Sequence, residues 1–216
     1  MKKGIKSGFI QKFVCIFLLL LLYISVSAFS YAQDVSSHLT DSVFRLHVLA
    51  NSNAIYDQEL KYKVRDAIIE YMNSISTNSK EEVIDFALNN LENFEAIAKQ
   101  VVLENGYDYD VDVEIGNFSF PTKNYGDISL PAGLYDALRI KIGKAEGQNW
   151  WCVMFPPLCF VDVSSGIVPE ESKDIMEENL SKEEFGVISK EDSEITFKFK
   201  LLEFFGNITS TFTAKY

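Results

Sequence analysis

The apolar run VCIFLLLLLYISV, residues 14 to 26, limits more than any other feature what this chain can fold into. Lys2, Lys3, Lys6 and Lys12 precede or border it, no acid appears before Asp34, and the small residues Ser30 and Ala32 follow it. A basic start, a short apolar stretch and small residues beyond it describe a secretory signal peptide, residues 1–32, cleaved after Ala32. The competing reading is an uncleaved anchor, because 14–32 approaches the length that crosses a bilayer. Under both readings the chain is exported and this segment is removed from the folding problem. Residues 33–42 are polar and read as a flexible lead-in, and 43–216 read as one globular domain, long enough for a single core.

Charge then excludes a partner class. Residues 1–32 hold four of the twenty Lys and Arg and none of the 31 acids, so the remainder carries sixteen bases against those acids, a net charge of −15. Nucleic-acid affinity comes largely from Lys and Arg meeting phosphates, so nucleic acid is a poor partner for such a chain. The same acidity keeps an exported domain soluble.

The apolar pattern predicts an α+β fold with a largely antiparallel sheet, in the order β-α-α-β-β-β-α-β with two early helices packed on it. Val43 to Ala50 alternates, which turns Phe44, Leu46 and Val48 to the core and Arg45 and His47 to the other face. Asn51-Ser52-Asn53 breaks that strand, since such side chains bond their own backbone. A helix opens at Asp57, with Leu60, Val64, Ile68 and Met72 on one face. A second begins at the capping pattern Ser79-Lys80-Glu81-Glu82 and runs to Asn105-Gly106. From Tyr107 to Ile115 the period is two, with Asp108, Asp110, Asp112 and Glu114 on a face expected in water. A loop bounded by Pro121 and Pro131 follows. Tyr135–Ile142 and the stretch WWCVMF (150–155) read as further strands, 169–180 as a helix and 195–205 as a last strand.

Catalytic readings are short of parts. A Ser-His-Asp or Cys-His site needs a base within hydrogen-bond reach of its nucleophile. The chain has two histidines, of which only His47 lies on a predicted element, so the rival reading is an extracytoplasmic hydrolase pairing His47 with Cys152 or Cys159. Two cysteines this far apart lack the short C-x-x-C spacing of a zinc site, and no metal or other cofactor is expected. The stretch NWWCVMFPPLCFVD, 149–162, reads first as buried structure, because tryptophan and cysteine belong inside and Pro156-Pro157 must end a strand. If the chain reverses at the prolines, Cys152 and Cys159 face each other. A disulfide and a pair of free thiols both remain open. A small-molecule-binding domain is a third reading, and it requires a deep pocket.

Three stretches carry a resemblance: FRLHVLANSNAIYDQELKYKVRDAI at 44–68, LPAGLYDALRIKIGKAEGQNWWCVMFPPLCFVD at 130–162, and FKFKLLEFF at 197–205. Together they resemble the stage II sporulation protein R family of endospore-forming bacteria, over roughly 43–205, with no matching pattern in 166–193. The resemblance implies a forespore-made signalling protein, exported into the space between forespore and mother-cell membranes. There it would activate a membrane-embedded aspartic protease, which removes the pro-sequence of the sigma-E precursor. It would therefore act near a membrane, through its signal peptide or its partner.

The resemblance transfers no catalytic or contact residues, so the partner-binding expectation rests on the residues alone. The loop and helix start, Arg45, His47, Asn51, Ser52, Asn53, Asp57 and Arg65, form one expected contact face, where free backbone N–H groups and several bases meet. Trp150 and Trp151 form a second, because aromatic anchors dominate interfaces. Alternation puts these two on opposite faces, and the exposed one is the candidate.

Overall fold

The computed structural model describes residues 3–73, 79–159, 168, 170–181, 185–186 and 188–189. Its elements are α1 (Lys3–Asp41), β1 (Phe44–Leu49), α2 (Ile55–Asn73), α3 (Lys80–Asn89), α4 (Leu91–Glu104), β2 (Val111–Phe120), β3 (Lys123–Tyr125), β4 (Ile128–Leu130), β5 (Gly133–Ile142), β6 (Asn149–Phe155) and α5 (Glu170–Asn179). The fold is α+β, as the pattern predicts. The expected strand at 195–205 lies outside the described residues.

The main sheet has the order β2-β5-β1-β6. Two of its three pairings, β2 with β5 and β1 with β6, are antiparallel, while β1 and β5 run parallel. Helices α2, α3 and α4 cover one face, where Phe44, Leu46 and Val48 meet Leu60, Val64, Phe94, Ala98 and Leu138. The other face packs Val43, Phe120, Tyr135, Ala137 and Val153 against Leu39 of α1, Ile128 and Leu130 of the β3–β4 hairpin, and Met176 of α5. Strand β1 is therefore buried on both sides, and Arg45 and His47 lie inside instead of in water.

Helix α1 has a window long and apolar enough to cross a membrane, a property shared by anchors and signal sequences. Its described side chains from Ile10 to Ser27 are exposed. The lead-in at 33–42 differs from expectation: the helix continues to Asp41. Extending an existing helix needs no new nucleus, and the end is held where Leu39 is fully buried and Lys80 Nζ donates to the Asp41 carbonyl at 2.8 Å.

Further differences have identifiable causes. The second expected helix, 79–105, is two helices that meet at Asn90, whose Nδ2 donates to the Phe86 carbonyl at 2.8 Å and whose Oδ1 accepts from Asn93 at 2.8 Å. Asparagine competes in this way with the helix ladder. The start is as read, with the Ser79 side chain accepting from the Glu82 N–H, and Gly106, at φ +82°, follows the end. The strand expected at 107–115 begins at Val111, because its partner β5 ends at Ile142 and turns at Gly143 (φ +58°). It runs on to Phe120 because β5 continues back to Gly133. Its acidic face is not simply solvated: Asp112 pairs with Lys141 at 2.8 Å, and Glu114 pairs with Arg139 and Lys141 across the ladder. Finally, the expected loop 121–131 contains the β3–β4 hairpin, whose three-residue strands are too short to show a period.

Candidate functional site

The expected site residues fall on the β1–β6 ladder, on the loop after β1, and on α2. Arg45 is fully buried in an aromatic box. Its guanidinium carbon lies 4.1 Å from the Phe120 ring centre and 4.7 Å from that of Tyr135. Nε donates to the Cys152 carbonyl at 3.3 Å and Nη2 to the Tyr125 hydroxyl at 2.5 Å, while Nη1 has no hydrogen-bond partner. Arg45, held in the main sheet by Phe120, Tyr135 and the Cys152 carbonyl, thus fastens the β3–β4 hairpin to it through its hydrogen bond to Tyr125. A partner docking on the surface would not meet it.

His47 is the next inward residue on that face. Its ring stacks on Trp151 at 3.8 Å between centres and meets Phe120 edge-on at 5.7 Å. Nε2 lies 3.0 Å from Asn149 Oδ1, and Nδ1 is buried without a partner. Burial lowers its pKa to about 4, against the opposing effect of the Asn149 hydrogen bond and with help from Arg139 and Arg45. The imidazole is neutral at pH 7.

The ladder takes the hydrolase pair apart. His47 is opposite Trp151 and Leu46 is opposite Cys152, so the imidazole and the Cys152 sulfur point to opposite faces. Cys152 joins the helix-covered core, whereas Trp151 packs in the other one. The chain turns back at Pro156-Pro157, where the Phe155–Pro156 bond is cis, and the Cα atoms of Cys152 and Cys159 lie 5.4 Å apart, joined as a disulfide.

Asn51, Ser52, Asn53 and Asp57 tie the loop after β1 to the turn between β5 and β6. Asn51 Nδ2 and Ser52 Oγ both donate to Asp57 Oδ2, at 2.8 and 2.6 Å. Asn51 Oδ1 accepts from the Lys144 N–H and Asn53 Oδ1 from the Gln148 N–H. Burial raises the Asp57 pKa, but the hydrogen bonds from Ser52 and Asn51 outweigh it and hold the carboxyl below its ordinary value. The polar side chains expected to face a partner are thus largely consumed in holding two loops together. Gly147 shows how close the loops are: a Cβ there would stand 2.2 Å from the Ser52 carbonyl oxygen.

Lys61 is buried beneath this tie, donating to Gln58 Oε1 at 2.6 Å and to the Gln148 carbonyl at 3.0 Å. Burial, then the nearby Arg65, lowers its pKa. Arg65 lies over the Trp150 ring at 4.4 Å and the Tyr62 ring at 5.0 Å, and pairs with Asp66 at 2.6 Å. Trp150 and Trp151 are both half-buried, on opposite faces, so neither is the freely exposed anchor that alternation led us to expect.

Sequence reasoning overlooked the apolar surface around the start of α2. Ile55 is 78% and Tyr56 53% exposed. Tyr56 stacks on Tyr107 at 6.2 Å, and Tyr107 stacks on Tyr109 at 5.3 Å. The signal is in the sequence: Ile55 precedes the apolar stripe of α2 and falls off it, which marks an exposed apolar residue.

Comparison with known proteins fits this frame. The sequence model of the stage II sporulation protein R family matches residues 40–165, from the end of α1 through β6. The stretch 197–205 falls outside that span. Stage II sporulation protein R of Bacillus subtilis (strain 168) is 37% identical over 169 residues, covering 74% of this chain and 75% of the relative's own length. No solved structure matches significantly. A match that takes in all six strands and α2 to α4, together with this identity, places the chain in the stage II sporulation protein R family.

Proposed function

We propose that this chain is an exported, non-catalytic signalling ligand that acts in sporulation by activating a membrane-embedded aspartic protease. The protease then matures the sigma-E precursor in the mother cell. The observation that carries the reading is the family match, because it spans the folded body of the domain and not a local motif. The apolar helix α1 supports export into the space between the forespore and mother-cell membranes. The separation of His47 from Cys152 on opposite sheet faces, with Cys159 joined to Cys152 in a disulfide, weighs against the hydrolase reading, which needed one of these thiols beside His47. Activation is a population shift: a ligand that binds better to the active arrangement of the protease raises its share.

Reconstitution in a non-sporulating host tests this. The chain is co-expressed with the cognate protease and the sigma-E precursor, and precursor shortening is followed on a gel. The expected result is shortening that requires both this chain and its residues 1–32. No shortening, with all three proteins made and the chain exported, refutes the reading.

A further inference from the structure

Helix α1 enters the domain at one end of the main sheet. Its last turn is held at Leu39 and Asp41, and a Cβ at Gly133, the first residue of β5, would stand 2.9 Å from Thr40. From there β1 and the parallel β5 run together to the opposite end, about 20 Å away for six residues at roughly 3.3 Å each. At that far end lie the loop 51–54, the turn 143–148 and the start of α2. The described side chains of α1 from Ile10 to Ser27 are exposed, and its buried Leu39 lies at the near end.

An aromatic ledge occupies that end. Ile55 and Tyr56 are exposed at the first turn of α2, and Tyr56, Tyr107 and Tyr109 form a stacked row. Asp108 and Asp110 alternate with these tyrosines and are exposed, with the Asp108 side chain at 90%. Lys99 pairs with Asp108 from the side at 3.2 Å. Stacked tyrosines offer large contact area at small entropy cost, and interface cores are rich in them. The interleaved aspartates add charge complementarity for a basic partner. The two loops beneath are locked by the Asn51, Ser52, Asn53 and Asp57 hydrogen bonds, so the ledge is presented preformed.

We infer that this ledge is the docking face for a basic segment with exposed apolar side chains on the extracytoplasmic side of the partner protease. The inference rests on the ligand reading above and adds where the contact falls and what chemistry meets it. The buried Asp57, which bonds Asn51 and Ser52, supports the face from behind, and Ile55, Tyr56 and Tyr107 make the contact.

The test uses the full chain in the reconstituted system. A double variant, Ile55→Asp with Tyr56→Ser, is compared with Leu134→Asp, which alters an exposed leucine beside α1 at the opposite end. The expected result is at least a tenfold fall in precursor processing for the ledge variant, with unchanged export, and wild-type processing for Leu134→Asp. Wild-type processing by the ledge variant overturns the docking face while leaving the ligand reading intact. Absence of processing with the unaltered chain overturns the ligand reading itself. A photoreactive benzophenone side chain at position 56 gives a measure independent of folding losses. A crosslink to the protease is expected, and a crosslink only to a second copy of this chain overturns the proposal.

Discussion

Acidification from pH 7 to pH 5 is expected to weaken the fold through His47. Its pKa is about 4 in the folded chain because burial penalises the charged ring, against an ordinary 6.5 in the unfolded chain. The unfolded state therefore takes up the proton first. Stability from the neutral ring is fully present above about pH 6.5 and is lost as pH falls from there toward 4. Between pH 7 and pH 5 this linkage amounts to roughly 2 kcal/mol, or a drop of about 1 M in the urea midpoint at a slope of about 2 kcal/mol/M. Arg45 and Arg139 both oppose the imidazolium, and no carboxylate contributes to the shift. The assay is urea unfolding of the full chain in detergent micelles, followed by tryptophan fluorescence, which reports on the ladder through Trp151 stacked on His47. Carboxylates titrate as well, so His47→Gln is measured in parallel and should show a fall about 1 M smaller. Equal falls in the two proteins would refute the argument.

The disulfide and the loop tie give two further tests. Replacing Cys152 and Cys159 by alanine opens a loop with a sequence separation of 7, and chain entropy puts the loss at about 2.5 kcal/mol. It should appear as a lower urea midpoint under oxidising conditions, with no difference between the two proteins once reductant is added. Gly147→Ala should cost roughly 3 kcal/mol or more, since its Cβ meets the rigid Ser52 carbonyl at 2.2 Å and two loops must part. Hydrogen exchange of the Gly147 amide, bonded to the Ala50 carbonyl at 2.9 Å in the parent, should quicken with it.

How far the sequence was legible depended on whether a residue's role was set by its neighbours in the chain. The stripe of α2, the Ser79 cap, the alternation of β1 and the opposite faces of Trp150 and Trp151 are local, and periodicity reports them. The ends of β2 are not local. Val111 begins that strand because β5 stops at Ile142, thirty-one positions further along the chain. The polarity of Arg45 and His47 misled for a related reason. Alternation shows that they share a face, but only the β3–β4 hairpin, α1 and α5 determine that this face is covered. Once covered, arginine finds ring faces and a tyrosine hydroxyl in place of water, and histidine gives up its charge. The same logic recasts the loop after β1. Asn51, Ser52 and Asp57 have the composition of a recognition loop, and in the fold they bond to one another and to the next turn. Polar residues that hold a surface in shape and polar residues that touch a partner are alike in sequence. What separates them is whether their donors and acceptors are already occupied. By that criterion the contact shifts from the polar loop to the aromatic row beside it, led by the exposed Tyr56.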